Sequence, residues 1–320
     1  MDLEALLAGV RAGERRPVGR AISLAEGLGR EGRELVAALH PDTGRALRVG
    51  VTGSPGVGKS SLISALIRHL RASETRVGVV SVDPTSPFTR GAVLGDRIRL
   101  TDHFLDPGVF IRSMASRGHL GGLAEATADA VLVLDAAGYD VVLVETVGSG
   151  QNEVEVRALT ETVLLAVMPG SGDSIQALKA GLMEIPDVLV INKADRPGAD
   201  LLRADLEATL SLVPAGPWRP PIVATRSLDG EGIPELWQQV LRHRAFLAED
   251  GRLEERRRDG LSRQLRALAV DRMARRLERA ADPAFLEEMT DAVLTHELDP
   301  ATAVDRLLAR LPEGDLEPDG

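Results

Sequence analysis

Gly53-Ser54-Pro55-Gly56-Val57-Gly58-Lys59-Ser60, with Ser61 behind it, sets glycines, a lysine and hydroxyls between two apolar stretches. Glycines at this spacing let successive backbone N–H groups converge on phosphate oxygens, and a helix beginning there adds the positive end of its dipole beneath them. In that arrangement Lys59 reaches the β- and γ-phosphates of a nucleoside triphosphate and Ser60 coordinates Mg²⁺. The plain alternative is an ordinary glycine-rich strand-to-helix turn. The flanks favour the phosphate loop: Leu47 to Val51 is a short apolar run of strand character, and Leu62, Leu66 and Leu70 recur at helical spacing.

A second apolar run, Val188 to Ile191, leads into Asn192-Lys193-Ala194-Asp195. A carboxylate such as Asp195 accepts from both N1–H and the exocyclic amine of guanine, adenine offers no such paired donors, and the aliphatic stem of Lys193 can cover the purine face. A site of that kind discriminates by about 10⁴ or more, because the wrong base strands polar groups without partners. Taken alone the segment is a polar loop after a strand; its place downstream of the phosphate loop, with strand-helix units between, favours base recognition. The run Pro221 to Val223 puts a third base-side loop at Ala224-Thr225-Arg226, which lacks the Ser-Ala usual in such loops.

Three carboxylates end or follow apolar runs between these loops: Asp83, Asp96 and Glu145. They fall on the edge where open α/β sheets bind ligands, and would surround a metal. Mg²⁺ keeps several waters and takes one or two direct protein ligands, so some of these acids act through water or serve in turn. Each has a plainer reading, as a turn residue before Pro84, an exposed loop acid and an N-cap-like acid respectively, and spacing alone leaves Asp96 undecided. Gly148, in Glu145-Thr146-Val147-Gly148, can offer its N–H to a γ-phosphate and couple hydrolysis to movement of the following loop.

From Ala46 to Arg244 strand-like runs alternate with helical stretches, which predicts an α/β fold with a mostly parallel sheet covered on both faces, the P-loop NTPase arrangement. The expected organisation is a helical segment over 1–44, a nucleotide-binding domain over 45–245 and a helical extension over 246–320. Asp282-Pro283 and Asp299-Pro300 each pair an N-cap with proline at the first helical position. The extension carries more apolar stripe than a lone solvent helix needs, so it packs on the sheet domain or, preferably, on a second copy. The arginines between Arg252 and Arg279 interleave with leucines at helical spacing and read as a solvated basic face.

Composition closes off other classes. A net charge of −10 and 2% aromatic residues argue against nucleic acid as a partner. Zero cysteines exclude disulfides and thiolate metal sites and fit a reducing cytoplasm. No stretch approaches a membrane span, so the chain reads as soluble, untargeted and cytoplasmic.

Together the phosphate loop, Val82-Asp-Pro-Thr-Ser-Pro-Phe88, Gly95-Asp-Arg-Ile98, Ser116-Arg-Gly-His-Leu-Gly-Gly122 and Glu145-Thr-Val-Gly148 with Gln151 resemble the methylmalonyl-CoA mutase-associated GTPases, the MeaB family. The resemblance implies a slow, Mg²⁺-dependent GTPase that cycles between GTP and GDP. It further implies a chaperone of an adenosylcobalamin-dependent acyl-CoA mutase that gates cofactor loading and release and protects the mutase from inactivation, working as a homodimer joined through the C-terminal helical arm. The family's metal and switch positions fall on Asp83, Asp96 and Glu145, and its third mobile loop on Ser171 to Asp187, with Gln176 and Lys179 as contacts to nucleotide or partner. No glutamine or arginine stands out to accelerate hydrolysis alone, so the intrinsic turnover is expected to be slow and to rise when the mutase reshapes the switch loops. Two rival classes remain. A metal-insertion GTPase would use Cys/His ligands, against which the missing cysteine counts. A small-molecule kinase of amino-acid transport would need an acceptor pocket and a base near the γ-phosphate.

Overall fold

Runs of Val, Leu and Ile that stay apolar at consecutive positions, rather than alternating, demand a sheet buried on both faces. The computed structural model describes residues 2–27, 29–84, 97–116, 120–146, 152–170, 186–212, 216–280 and 283–310. Its strands are β1 (Leu47–Gly53), β2 (Val77–Pro84), β3 (Val109–Ser116), β4 (Val141–Thr146), β5 (Thr162–Val167), β6 (Val188–Asn192) and β7 (Ile222–Thr225). They form one 7-stranded sheet in the order β3-β2-β4-β1-β5-β6-β7. Every pairing in it is parallel. In β5 and β6 every residue is buried, which is why neither shows a polar face in the sequence.

Helices cover both sides. The described ones are α1 (Leu3–Arg11), α2 (Arg15–Glu26), α3 (Arg30–Leu39), α4 (Lys59–Arg71), α5 (Leu120–Ala136), α6 (Asn152–Leu159), α7 (Ala199–Leu212), α8 (Ile233–Ala248), α9 (Arg252–Ala280), α10 (Pro283–Leu294) and α11 (Pro300–Ala309). On one face Leu62 and Leu66 of α4 and Val240 of α8 pack on Val49, Val79 and Leu143. On the other, Ala130 and Leu134 of α5 lie on Val142 and Val144, and Leu6, Ile22 and Leu35 of the first three helices close over them. The α7 residues Leu202 and Leu206 cover Leu165 and Leu189 further along the sheet. The chain enters β1 through a turn pinned by Asp135 of α5, whose carboxylate accepts from the backbone N–H groups of Gly44, Arg45 and Ala46 at 2.8, 3.1 and 3.0 Å. Strand order turns back at β1, so the carboxyl ends of β1 and its neighbours open the crevice in which sheets of this kind hold ligands.

The C-terminal helices differ from the sequence expectation in one respect. Helix α9 lies along α5 and α6, and part of its basic row faces inward instead of toward solvent. Arg256 Nη2 donates to Asp187 at 2.8 Å, Arg257 Nη2 to Glu161 at 2.6 Å and Arg272 Nη2 to Glu125 at 2.7 Å. All three acids are buried. Helical periodicity reports which arginines share a face but is silent about acids far away in sequence, and buried carboxylates require such partners. Beyond α9, Asp299 caps α11 by accepting from the N–H groups of Ala301 and Thr302 at 2.9 and 3.0 Å, as its Asp-Pro signature predicts. Helices α10 and α11 share a small core of Phe285, Met289 and Ala303. Leu261, Leu265 and Met273 on α9 and Leu286, Leu294 and Leu308 beyond it stay exposed.

The arm junction carries a titrating acid. Burial, with Glu125 beside it, pushes Asp129 of α5 from 3.8 up to about 7, against the lesser effect of Arg272. Its folded value lies above its unfolded one, so its stabilising contribution is complete below the unfolded value and is lost as pH rises through the folded one. Asp129→Asn is therefore expected to match the parent near pH 4 and to gain on it by on the order of 3 kcal/mol by pH 7.5, levelling off beyond. Denaturant unfolding of both proteins across that range is the check, and a pH-independent difference contradicts it.

Candidate functional site

The phosphate loop joins β1 to α4. Gly53 ends the strand at φ 140°, and a Cβ there would lie 2.2 Å from the Ala166 carbonyl oxygen of β5. Gly58, at φ 96°, is the left-handed residue that starts α4, and a Cβ there would meet Asn192 Nδ2 at 2.6 Å. Both positions thus require glycine for close approach as well as for backbone angle. Val57, 1% exposed, plugs the loop into the core, while Pro55 and Gly56 stand at the surface. Lys59 is buried and its Nζ donates to the carbonyls of Gly53 at 2.7 Å and Ser54 at 3.2 Å. The ammonium group is therefore held over its own loop, at the start of a helix.

Beside it, Ser60 Oγ donates to Glu145 Oε1 at 3.1 Å, and Ser81 Oγ of β2 donates to Glu145 Oε2 at 3.1 Å. Glu145 closes on this pair because β4 stands next to both β1 and β2, with Val51 and Ser81 each in register with it. A serine hydroxyl and a carboxylate are the hard oxygen donors that suit Mg²⁺, and their adjacency fits the ion. Asp83 stands in the last stretch of β2, in register with Ala115 of β3. Asp96, Gly148, Gln176 and Lys179 lie outside the described residues.

The base-side segment is tied directly to the loop. Asn192 is buried; its Nδ2 donates to the Val57 carbonyl at 2.9 Å, and its Oδ1 accepts from Thr225 Oγ1 at 3.2 Å and Ser227 Oγ at 2.7 Å. One amide thus links the phosphate loop to the ends of β6 and β7. Lys193, at φ 55°, sends its Nζ to the Gly56 carbonyl at 2.6 Å, which lays its stem across the gap between base segment and phosphate loop. Partial burial, with Arg196 nearby, lowers its pKa. A pocket of about 220 Å³ opens here, with Gly58, Ser61, Lys193, exposed Asp195, Ser227 and Leu228 among its walls.

Of the segment Ala224-Thr225-Arg226, expected to form a third base-side loop, only Arg226 lines the pocket. Ala224 and Thr225 belong to β7, and the pocket wall runs from Arg226 onward. Arg226 pairs with Asp229 at 3.1 Å and Glu231 at 2.7 Å. Ser227 and Leu228 escaped the sequence reading, as did Ser81; the signal available for Ser227 was a hydroxyl two residues past the strand end, and none existed for Ser81. A larger cavity, about 270 Å³, lies between α9 and the start of β1 among Arg48, Asp135, Glu161 and Arg257. It contains no phosphate-loop or base-segment residue, so the smaller pocket is the candidate site.

A parallel sheet with its phosphate loop after the central strand, joined through one asparagine to a guanine-type base segment, defines a P-loop GTPase. Comparison with known families narrows this: residues 18–282 match the model described as Methylmalonyl Co-A mutase-associated GTPase MeaB, and the chain belongs to that family. A Pyrococcus abyssi protein described in general terms as a GTPase is 45% identical over 318 residues, covering 98% of each chain. The Caenorhabditis elegans methylmalonic aciduria type A homolog, a mitochondrial protein, is 36% identical over 222 residues, which are 68% of this chain and 56% of that one. A solved structure titled LAO/AO transport system kinase superposes with a TM-score of 0.73 at 29% identity, covering 96% of each chain.

Proposed function

We propose that this GTPase serves an adenosylcobalamin-dependent acyl-CoA mutase of the methylmalonyl-CoA type, gating entry and release of its cofactor and protecting it from inactivation. Supporting this are the family described as mutase-associated and the C. elegans relative named for methylmalonic aciduria. The observation that carries it is the attachment of α9 to Asp187, one residue before β6, the strand that delivers Asn192 and Asp195. A change at the nucleotide therefore has a short route along β6 and across this ion pair to the arm.

In this reading Gly53 to Ser61 cradle the phosphates, Asn192, Lys193 and Asp195 hold guanine, and the loop after β7 completes the base site. Ser60 and Glu145, with Asp83 and Asp96, would hold Mg²⁺, which would supply positive charge against that developing on the phosphoryl oxygens. Water attacks the γ-phosphate in line, GDP leaves, and Lys59 with the backbone N–H groups of the loop stabilises the spreading charge. Gly148, Gln176 and Lys179 are assigned to the switch and partner contacts. The exposed leucines of the arm suit a homodimer, and the division 1–44, 45–245 and 246–320 separates buttress, engine and arm. No described helix is long and apolar enough to cross a membrane, and a chain without cysteine suits the cytoplasm we assign it.

The test is GTP turnover with and without a purified cobalamin mutase, with complex size followed by light scattering. Slow basal hydrolysis accelerated at least about tenfold by the mutase is the expected result, an effect of about 1.4 kcal/mol on the barrier. Fast hydrolysis indifferent to the mutase contradicts it. The kinase title of the structural relative supports a second reading, transfer of the γ-phosphate to a small acceptor. Product analysis separates the two: the GTPase releases free phosphate, a kinase yields a phosphorylated acceptor.

A further inference from the structure

Glu145 is gripped from two sides by hydroxyls of different origin. Ser60 comes from the phosphate loop and Ser81 from β2, and all three side chains are buried at 4%, 2% and 2% exposure for Ser60, Ser81 and Glu145. Ser60 holds Oε1 and Ser81 holds Oε2, each at 3.1 Å. The terminal torsion of a glutamate is broad and two-fold, so one donor leaves the carboxylate plane free to turn whereas a second donor on the opposite oxygen fixes it. Ser81 precedes Asp83 by two residues on the same strand, so its hydroxyl also ties the Asp83 end of β2 to the end of β4.

Resting on the reading of Ser60 and Glu145 as Mg²⁺-side residues, we propose that Ser81 is a positioning residue for the GTPase reaction. By fixing the carboxylate plane it keeps Oε1 as acceptor for the Ser60 proton, which leaves the Ser60 oxygen available to the cation. It acts through Glu145 and needs no contact of its own with nucleotide or metal. Partners one step removed from a metal ligand characteristically change metal affinity by 10- to 100-fold when lost, a range far above the effect of deleting an ordinary core hydroxyl bond on ligand binding.

The experiment uses the full chain and its Ser81→Ala and Ser81→Thr variants. Release of a fluorescently labelled GDP is followed while Mg²⁺ is titrated, with thermal melts alongside. Ser81→Ala is expected to need about tenfold more Mg²⁺ to reach half of its slow-release behaviour, while release without Mg²⁺ stays at the parent rate. Ser81→Thr, which retains the hydroxyl, restores the parent half-point. A Ser81→Ala half-point within about twofold of the parent overturns the proposal, as does a Ser81→Thr protein that behaves like Ser81→Ala. A parent protein whose GDP release ignores Mg²⁺ removes the Ser60 and Glu145 assignment itself, a failure visible before either variant is made.

Discussion

The Lys59→Ala protein is expected to bind GDP and GTP at least about a hundredfold more weakly than the parent, a loss of roughly 2.7 kcal/mol or more. Lys59 is buried in a loop whose carbonyls at Gly53 and Ser54 already accept from its ammonium group. The loop therefore closes around a positive charge before any phosphate arrives. Two consequences follow from removing that charge. The phosphates lose a charge-assisted donor worth roughly 1.5–3 kcal/mol per bond. The Gly53 and Ser54 carbonyls also lose a partner in a place where a phosphate, itself acceptor-only, cannot replace it. The loop's backbone N–H groups remain, so the site is weakened, not erased. Calorimetric titration with each nucleotide measures the effect, and affinity retained within about threefold would falsify the placement of the phosphates over Lys59.

The sheet was legible because its strands are buried on both faces, so continuous apolar runs such as Val188 to Ile191 mark them without ambiguity. The phosphate loop was equally legible, since glycine at positions 53 and 58 is dictated by contacts that tolerate no side chain. Links between distant segments left no local trace. Arg256 and Arg257 look like members of a solvated row until Asp187 and Glu161, buried ahead of β6 and β5, come beneath them. Ser81 reads as one polar residue in an apolar strand, and only register with Glu145 gives it a partner. The bounds of the last candidate segment met a related limit: a strand's end is the least defined part of its pattern, and β7 runs through Thr225, so of Ala224-Thr225-Arg226 only Arg226 lines the pocket.

Asp195→Asn is expected to exchange guanine for xanthine as the preferred base, the second large effect this site allows. Asp195 lies on the pocket wall and is exposed, so its two oxygens are available to a base without breaking any buried pairing. The nearby Arg226 is occupied by Asp229 and Glu231, and Lys193 by the Gly56 carbonyl. An ionised carboxylate accepts from N1–H and from the exocyclic amine of guanine together. An asparagine keeps one acceptor for N1–H and turns a donor toward position 2, where guanine presents another donor and xanthine presents a carbonyl. Stranding that pair of donors costs GDP about a hundredfold or more in affinity, while xanthosine diphosphate gains a matched pair. Phosphate contacts are untouched, so the two diphosphates differ only through the base, and competition between them isolates the effect from any general loosening of the loop. Because Asn192 joins the base segment to the phosphate loop through Val57, a protein that still prefers GDP after this change would require guanine to sit somewhere other than beside Asp195, and the link from base to loop would lose its role in nucleotide choice.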